Sequence, residues 1–99
     1  MTEIYTSALW TVKPDHEDAF VEAWNDFVQW ARYQPGSGTF RLARDIEDES
    51  RFMSFAPWAS FDDQQTWRQT DEFAAHMARI QQYVERFRPS TYELILEVG

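Results

Sequence analysis

The order in which strand-like and helix-like segments alternate is the strongest constraint that this 99-residue sequence places on its fold. The first segment, Ile4–Val12, is rich in β-branched and aromatic residues, which predicts a strand. Residues 39–45 and Arg51–Trp58 alternate in hydrophobicity on either side of an acidic turn, which predicts a β-hairpin. A last alternating segment, residues 91–98, predicts the fourth strand.

Two helices are predicted between these strands. Residues 16–33 carry apolar side chains at helical spacing, and Asp15 is the predicted N-cap. The second helix is predicted to begin after Ser60, with Asp63 as the acidic partner of a capping box, and to bend or restart at Thr70. Its apolar stripe runs to a predicted break at residues 88–90 and comprises Phe73, His76, Met77, Ile80, Tyr83, Val84 and Phe87.

The resulting β-α-β-β-α-β order predicts one domain over residues 1–99, of the α+β class and ferredoxin-like. Both helices would cover one face of a four-stranded antiparallel sheet. The first strand carries apolar side chains on both faces, with Trp10 and Val12 on one and Tyr5 and Leu9 on the other. A sheet that is apolar on both faces needs a second cover, so we expect a homodimer with its sheets face to face.

Composition narrows the classes of function. Seventeen acidic residues against nine basic ones give a net charge of −8, which argues against nucleic acid or an anionic membrane as partner. The absence of cysteine excludes thiolate metal sites and cysteine nucleophiles, and the acidic turn at residues 45–49 lacks the pattern of a calcium loop. Without a leader pattern or a long apolar run, the expected location is the cytoplasm. Five tryptophans among 17% aromatic residues favour an aromatic-lined cavity or an oligomer interface.

Several short motifs carry a resemblance to a known family. They are Pro35-Gly36, Phe40-Arg41-Leu42, Arg44-Asp45, Phe55-Ala56-Pro57-Trp58 and the helix opening at residues 67–73. With these motifs the chain resembles the antibiotic biosynthesis monooxygenase family, within the dimeric α+β barrel superfamily, over nearly its whole length.

The resemblance implies a cofactor-independent monooxygenase that oxidises a phenolic or polyketide-type aromatic with O₂. In that branch an Asn and a Trp lie four residues apart on the third strand, and an Arg follows on the next helix. The Trp corresponds to Trp58 and the Arg to Arg79, whereas Ser54 stands at the Asn position.

A second branch of the family degrades heme and has an Asn on the first strand with a Trp and a His on the second helix. Trp67 and His76 match the latter two, but the Asn is missing, because the chain's single Asn is Asn25. Heme binding and degradation is therefore the alternative to an enzyme without a cofactor. A non-catalytic dimer that binds a small aromatic molecule is the third hypothesis.

The predicted site comprises His76, Arg79 and Ser54 as catalytic residues and Trp58 and Trp67 as substrate-binding residues. In this scheme Ser54 or His76 shares the phenolic proton, Arg79 favours the oxyanion, and the two indoles hold the aromatic plane. Each residue also has a purely structural interpretation. The imidazole and the indoles can be core packing, the guanidinium a surface ion pair, and the hydroxyl a partner of a backbone carbonyl.

Overall fold

The computed structural model describes residues 3–99 and contains one four-stranded antiparallel sheet and three helices. The strands are β1 (Ile4–Val12), β2 (Arg41–Arg44), β3 (Arg51–Trp58) and β4 (Val84–Glu93), and the helices are α1 (Glu17–Ala31), α2 (Phe61–Arg68) and α3 (Asp71–Gln81). The strand order across the sheet is β2-β3-β1-β4. This arrangement confirms the predicted ferredoxin-like α+β fold.

The core lies between the helices and one face of the sheet. Alternation along β1 directs Ala8, Trp10 and Val12 toward the helices, where all three are buried. The α1 residue Phe20 packs between Trp10 and Phe52, with ring centroids 5.3 Å and 5.0 Å away. Large aromatic rings from the sheet and α1 thus fill most of the space between the layers.

Two of the three predicted helix caps are confirmed. The Ser60 Oγ accepts a hydrogen bond from the Asp63 backbone N–H (3.0 Å), and the Thr70 Oγ1 accepts one from the Phe73 N–H (3.1 Å). The second cap starts a new helix, so of the two predicted alternatives, a bend or a restart, the structure shows the restart, with α3 separate from α2. The prediction for Asp15 was wrong, because this residue has a positive φ of 66° and His16 occupies the N-cap position.

The last part of the chain differs from its prediction. We expected a helix as far as Phe87 and a strand over residues 91–98, whereas α3 ends at Gln81 and β4 spans Val84–Glu93. The pairing of β4 with β1 shifts between Thr11 and Val12, and this bulge turns both Val84 and Phe87 toward the core. Val84 and Phe87 are three positions apart and face the same side, so their spacing matches that of an apolar helix face although they lie on a strand.

The predicted break at residues 88–90 lies inside β4. Pro89 is paired with Ala8 of β1, and it is tolerated because β4 is an edge strand whose outer side needs no N–H donor. Beyond β4, the Leu94 N–H still donates to the Glu3 carbonyl oxygen (2.8 Å). The following apolar side chains, Ile95, Leu96 and Val98, are exposed.

Among residues 3–99, no helix covers the opposite face of the sheet. Leu9 is 49% exposed, Met53 42% and Tyr92 56%, and all three project away from the core. The prediction that both faces of β1 are apolar is confirmed. Within residues 3–99, no helix has the length and apolar character needed to cross a membrane.

Candidate functional site

A cavity of about 450 Å³ lies between the sheet and the helices. Its apolar walls are mainly aromatic and include Trp10, Trp24, Phe27, Phe40, Trp67, Phe73, Met77 and Phe87. The exposed lining residues Arg68, Pro89 and Thr91 mark its opening, between the end of α2 and the edge strand β4. A volume of this size, with apolar walls and few polar groups, is typical of small-molecule sites.

Ser54 places a hydroxyl group on the sheet side of this cavity. It lies on β3 opposite Ala8, faces the helices and is 8% exposed. The Trp10 Nε1–H donates to its Oγ at 2.9 Å, so the indole occupies one lone pair of the oxygen. The hydroxyl hydrogen has no acceptor within residues 3–99 and is available to a ligand.

Trp67 and Trp58 form an aromatic pair at the side of the cavity. Trp67 lines it, and Trp58 lies behind Trp67 with ring centroids 4.7 Å apart and no lining contact of its own. The loop at residues 35–38 holds Trp58 in place, since Ser37 forms a bridge with it and the Gly38 N–H donates to the Pro57 carbonyl oxygen at 2.8 Å. The pair therefore acts as a rigid wall.

A buried glutamine is the functional candidate that sequence reasoning missed. Gln64 is fully buried, and its Nε2 donates to the Thr6 Oγ1 (3.1 Å) and the Thr91 Oγ1 (3.2 Å). Its Oε1 accepts from the Gln65 Nε2 at 2.7 Å. The available signal was its position three residues before Trp67, because residues at that spacing share one face of a helix.

His76 does not line the cavity. Its ring stacks on Trp30 of α1, with centroids 5.3 Å apart and planes 25° apart, and it lies 5.6 Å from the Phe27 ring. For His76 to hold a heme in the cavity, its imidazole would have to face the cavity. The observed packing against α1 does not fit heme.

Arg79 also lies outside the cavity, on the surface between α1 and α3. Its Nη1 is 2.6 Å from the Asp26 Oδ2, and both side chains are substantially exposed. The hydrogen bond that Arg79 donates to the Asp26 carboxylate is the main cause that raises the pKa of Arg79 above its ordinary value. The structure thus brings Ser54, Trp67 and Trp58 together and separates them from His76 and Arg79.

The polar groups of the cavity contain no obvious metal site. In the part of the chain that the structure describes, no group of three or more His, Asp or Glu side chains could hold a metal ion. The lining includes hydroxyls, amides and one guanidinium, all of which can donate hydrogen bonds. The arrangement suits a planar apolar ligand that carries hydrogen-bond acceptors.

Fold and site together define a small ferredoxin-like α+β protein with a ligand cavity between its sheet and its helices. The family model for antibiotic biosynthesis monooxygenases matches residues 4–79. The chain belongs to this family, which confirms the resemblance found in its motifs.

Comparison with solved structures supports the fold over the full chain. A protein from Nitrosomonas europaea assigned to the antibiotic biosynthesis monooxygenases is 19% identical, with a TM-score of 0.85 over 98% of this chain and 94% of that one. SnoaB, a cofactor-independent oxygenase from Streptomyces nogalater, is 14% identical, with a TM-score of 0.91 over 97% and 96%. A protein from Pseudomonas aeruginosa is 18% identical, with a TM-score of 0.83 over 97% of each chain. A search of curated proteins found no match.

Proposed function

We propose that this protein is a cofactor-independent monooxygenase that oxidises a phenolic or polyketide-type aromatic with O₂. The observation that carries the proposal is the aromatic cavity of about 450 Å³ with the free Ser54 hydroxyl hydrogen at its sheet side. Family membership and the similarity to SnoaB, a cofactor-independent oxygenase, support the same class of reaction.

The chemistry needs an electron-rich anion rather than a metal. For an anthrone, loss of a proton gives an enolate that transfers electrons to O₂. The ring CH₂ becomes a carbonyl that holds one oxygen atom, and the second oxygen leaves as water with the two hydrogens. Apolar walls keep bulk water away from the anion, and a fixed donor stabilises its oxygen.

Ser54 is the proposed donor to that oxygen. Because Trp10 fixes the Oγ, the hydroxyl needs little reorientation when negative charge develops on the substrate. Trp67, backed by Trp58, would hold the aromatic plane of the substrate by stacking. The roles of His76 as base and of Arg79 as anion partner stay predictions, and the observed geometry supports them less than it supports the role of Ser54.

Oxygen consumption tests the proposal. Metal-free protein supplied with an anthrone should consume O₂ and form the quinone above a boiled control. Ser54→Ala should lower turnover by about 10²-fold, as expected for the loss of one oxyanion donor. Ser50→Ala, which changes a half-buried serine on the β2–β3 turn outside the cavity lining, is the matched control and should retain full turnover.

Other outcomes would change the interpretation. If aromatic ligands quench tryptophan fluorescence but neither anthrones nor other phenols are oxidised, the protein is a non-catalytic binding module. Full turnover by a folded Ser54→Ala variant would exclude Ser54 from the mechanism. A Soret band with added hemin that depends on His76 would support heme binding against the geometry described above.

We also propose that the protein is a homodimer formed through the uncovered face of the sheet. This face presents Leu9, Met53 and Tyr92, each 42% or more exposed. Three apolar side chains that follow β4, Ile95, Leu96 and Val98, are exposed as well. A second copy of the chain brings an identical apolar patch, which is the self-complementary surface that a two-fold dimer requires.

A further inference from the structure

The charges around the cavity are unlike those of the whole chain. The protein contains seventeen acidic and nine basic residues, yet among residues 3–99 no Asp or Glu lines the cavity. Arg68 is the single charged residue that these described residues contribute to the lining. Because its lining carries an arginine and no carboxylate, the cavity suits an anionic ligand better than a cationic one.

Arg68 is placed to contact whatever enters the cavity. It is the last residue of α2 and is exposed at the opening. Gln64 and Trp67 precede it by four and one residues, and all three contribute to the lining. Arg68 therefore shares the cavity lining with the aromatic wall and the buried amide.

The guanidinium of Arg68 has no ion-pair partner in the described part of the chain. Within residues 3–99 the one salt bridge joins Arg79 to Asp26. An arginine presents several N–H donors in a planar fork that matches the two oxygens of a carboxylate. An unpaired guanidinium at the edge of an apolar cavity can therefore bind a carboxylate.

The hydroxyl groups elsewhere in the lining also suit a ligand that carries hydrogen-bond acceptors. Thr6 and Thr91 each accept a hydrogen bond from the Gln64 Nε2, as Ser54 does from the Trp10 Nε1. Their hydroxyl hydrogens have no acceptor within residues 3–99. Thr6 and Ser54 are diagonal neighbours on β1 and β3, so their Cα atoms lie roughly 7–8 Å apart. The cavity consequently offers donors at separate points.

We infer that the ligand is an aromatic acid, whose carboxylate pairs with Arg68 at the opening while its ring system occupies the cavity. Acceptor oxygens on the ring would receive hydrogen bonds from the hydroxyls of Ser54 and Thr6. The inference rests on the proposed function, because it assumes that the substrate occupies this cavity. It extends that proposal in two ways: the substrate carries a negative charge, and Arg68 is the residue that recognises this charge.

Calorimetric titration with three matched probes tests the inference. These are 2-naphthoate, 2-naphthamide and 2-naphthylmethylamine, which share one ring system and differ in charge. The wild-type protein should bind the naphthoate about five- to tenfold more tightly than the amide, and the cationic amine most weakly. Salt at about 0.5 M should reduce the preference, since screening weakens an ion pair at an open mouth.

Variants of Arg68 separate recognition from a structural role at the end of α2. Arg68→Gln should abolish the preference for naphthoate and leave the affinity for naphthamide unchanged, whereas Arg68→Lys should retain part of the preference. Arg44→Gln is the matched control, because Arg44 lies over the Phe52 ring and does not line the cavity. It should keep the wild-type pattern.

Two results would overturn the inference. One is equal affinity for naphthoate and naphthamide, or no binding of either, in the wild-type protein. The other is a preference that survives Arg68→Gln. Oxygen consumption with a neutral anthrone is independent of these results, so the proposed oxygenase function can hold when the inference about charge fails.

Discussion

For Ser54, the sequence predicts the position on a strand but does not predict the side chain that hydrogen-bonds to its hydroxyl. Its place on the predicted third strand is confirmed, and the alternating burial along β3 shows that its side chain faces the helices. The hydrogen bond from Trp10 joins residues 44 positions apart, so it cannot be predicted from the local sequence. That bond leaves the serine hydroxyl as a donor to the cavity.

His76 provides a prediction at the same scale. We expect His76→Ala to lower the free energy of unfolding by about 1 kcal/mol, because its ring stacks on Trp30. Turnover per folded molecule should change less than threefold (about the effect of a residue outside the reacting groups). Denaturant unfolding and oxygen uptake measure the two quantities. A loss of about 10²-fold in turnover with unchanged stability would instead support the imidazole as general base.

Among the elements, α2 and β4 carry the features that matter most for the site. α2 has only eight residues, and three of them, Gln64, Trp67 and Arg68, line the cavity. β4 forms the edge of the opening, and its bulge sets which side chains face the core. The helical spacing of Val84 and Phe87 was read as α-helix because a bulged strand and a helix both return to one face after three residues.

The loop between α1 and β2 supplies a prediction about an element. Gly36 has a φ of 82°, and an added Cβ would collide with the Asp63 side chain at the start of α2. Gly36→Ala should therefore reduce stability by about 1–3 kcal/mol, visible as a lower Tm. Gly99→Ala is the control, since a Cβ there meets open space. Equal melting temperatures for the two variants would contradict the strain argument.

At the scale of the whole molecule, the open face of the sheet leads to a prediction about assembly. The wild-type protein should sediment at twice the chain mass of 11.8 kDa. Leu9→Arg should shift it toward the monomer, because it places a charge in the middle of the proposed interface. Ile46→Arg, at a fully exposed apolar residue of the β2–β3 turn, should leave the dimer intact. A monomeric wild-type protein at micromolar concentration would overturn the dimer proposal.

The sequence alone determined the α+β class, three strand positions, both helical regions and the caps at Ser60 and Thr70. These features depend on local spacing and on hydrogen bonds across a few residues, so they are readable from one segment at a time. The family resemblance also singled out Ser54 and Trp67, and the structure shows that both line the cavity. The position of β4 was not predicted, since a bulge depends on pairing with a distant strand.

Only the tertiary structure decided which of the predicted site residues meet. His76 and Arg79 belong to the same helix as cavity residues Phe73 and Met77, but the angle at which α3 packs turns them toward α1. Gln64 and Arg68 line the cavity because α2 lies over the sheet beside β4. The direction of a side chain relative to other elements is set by packing between segments far apart in sequence, and local pattern carries no record of it.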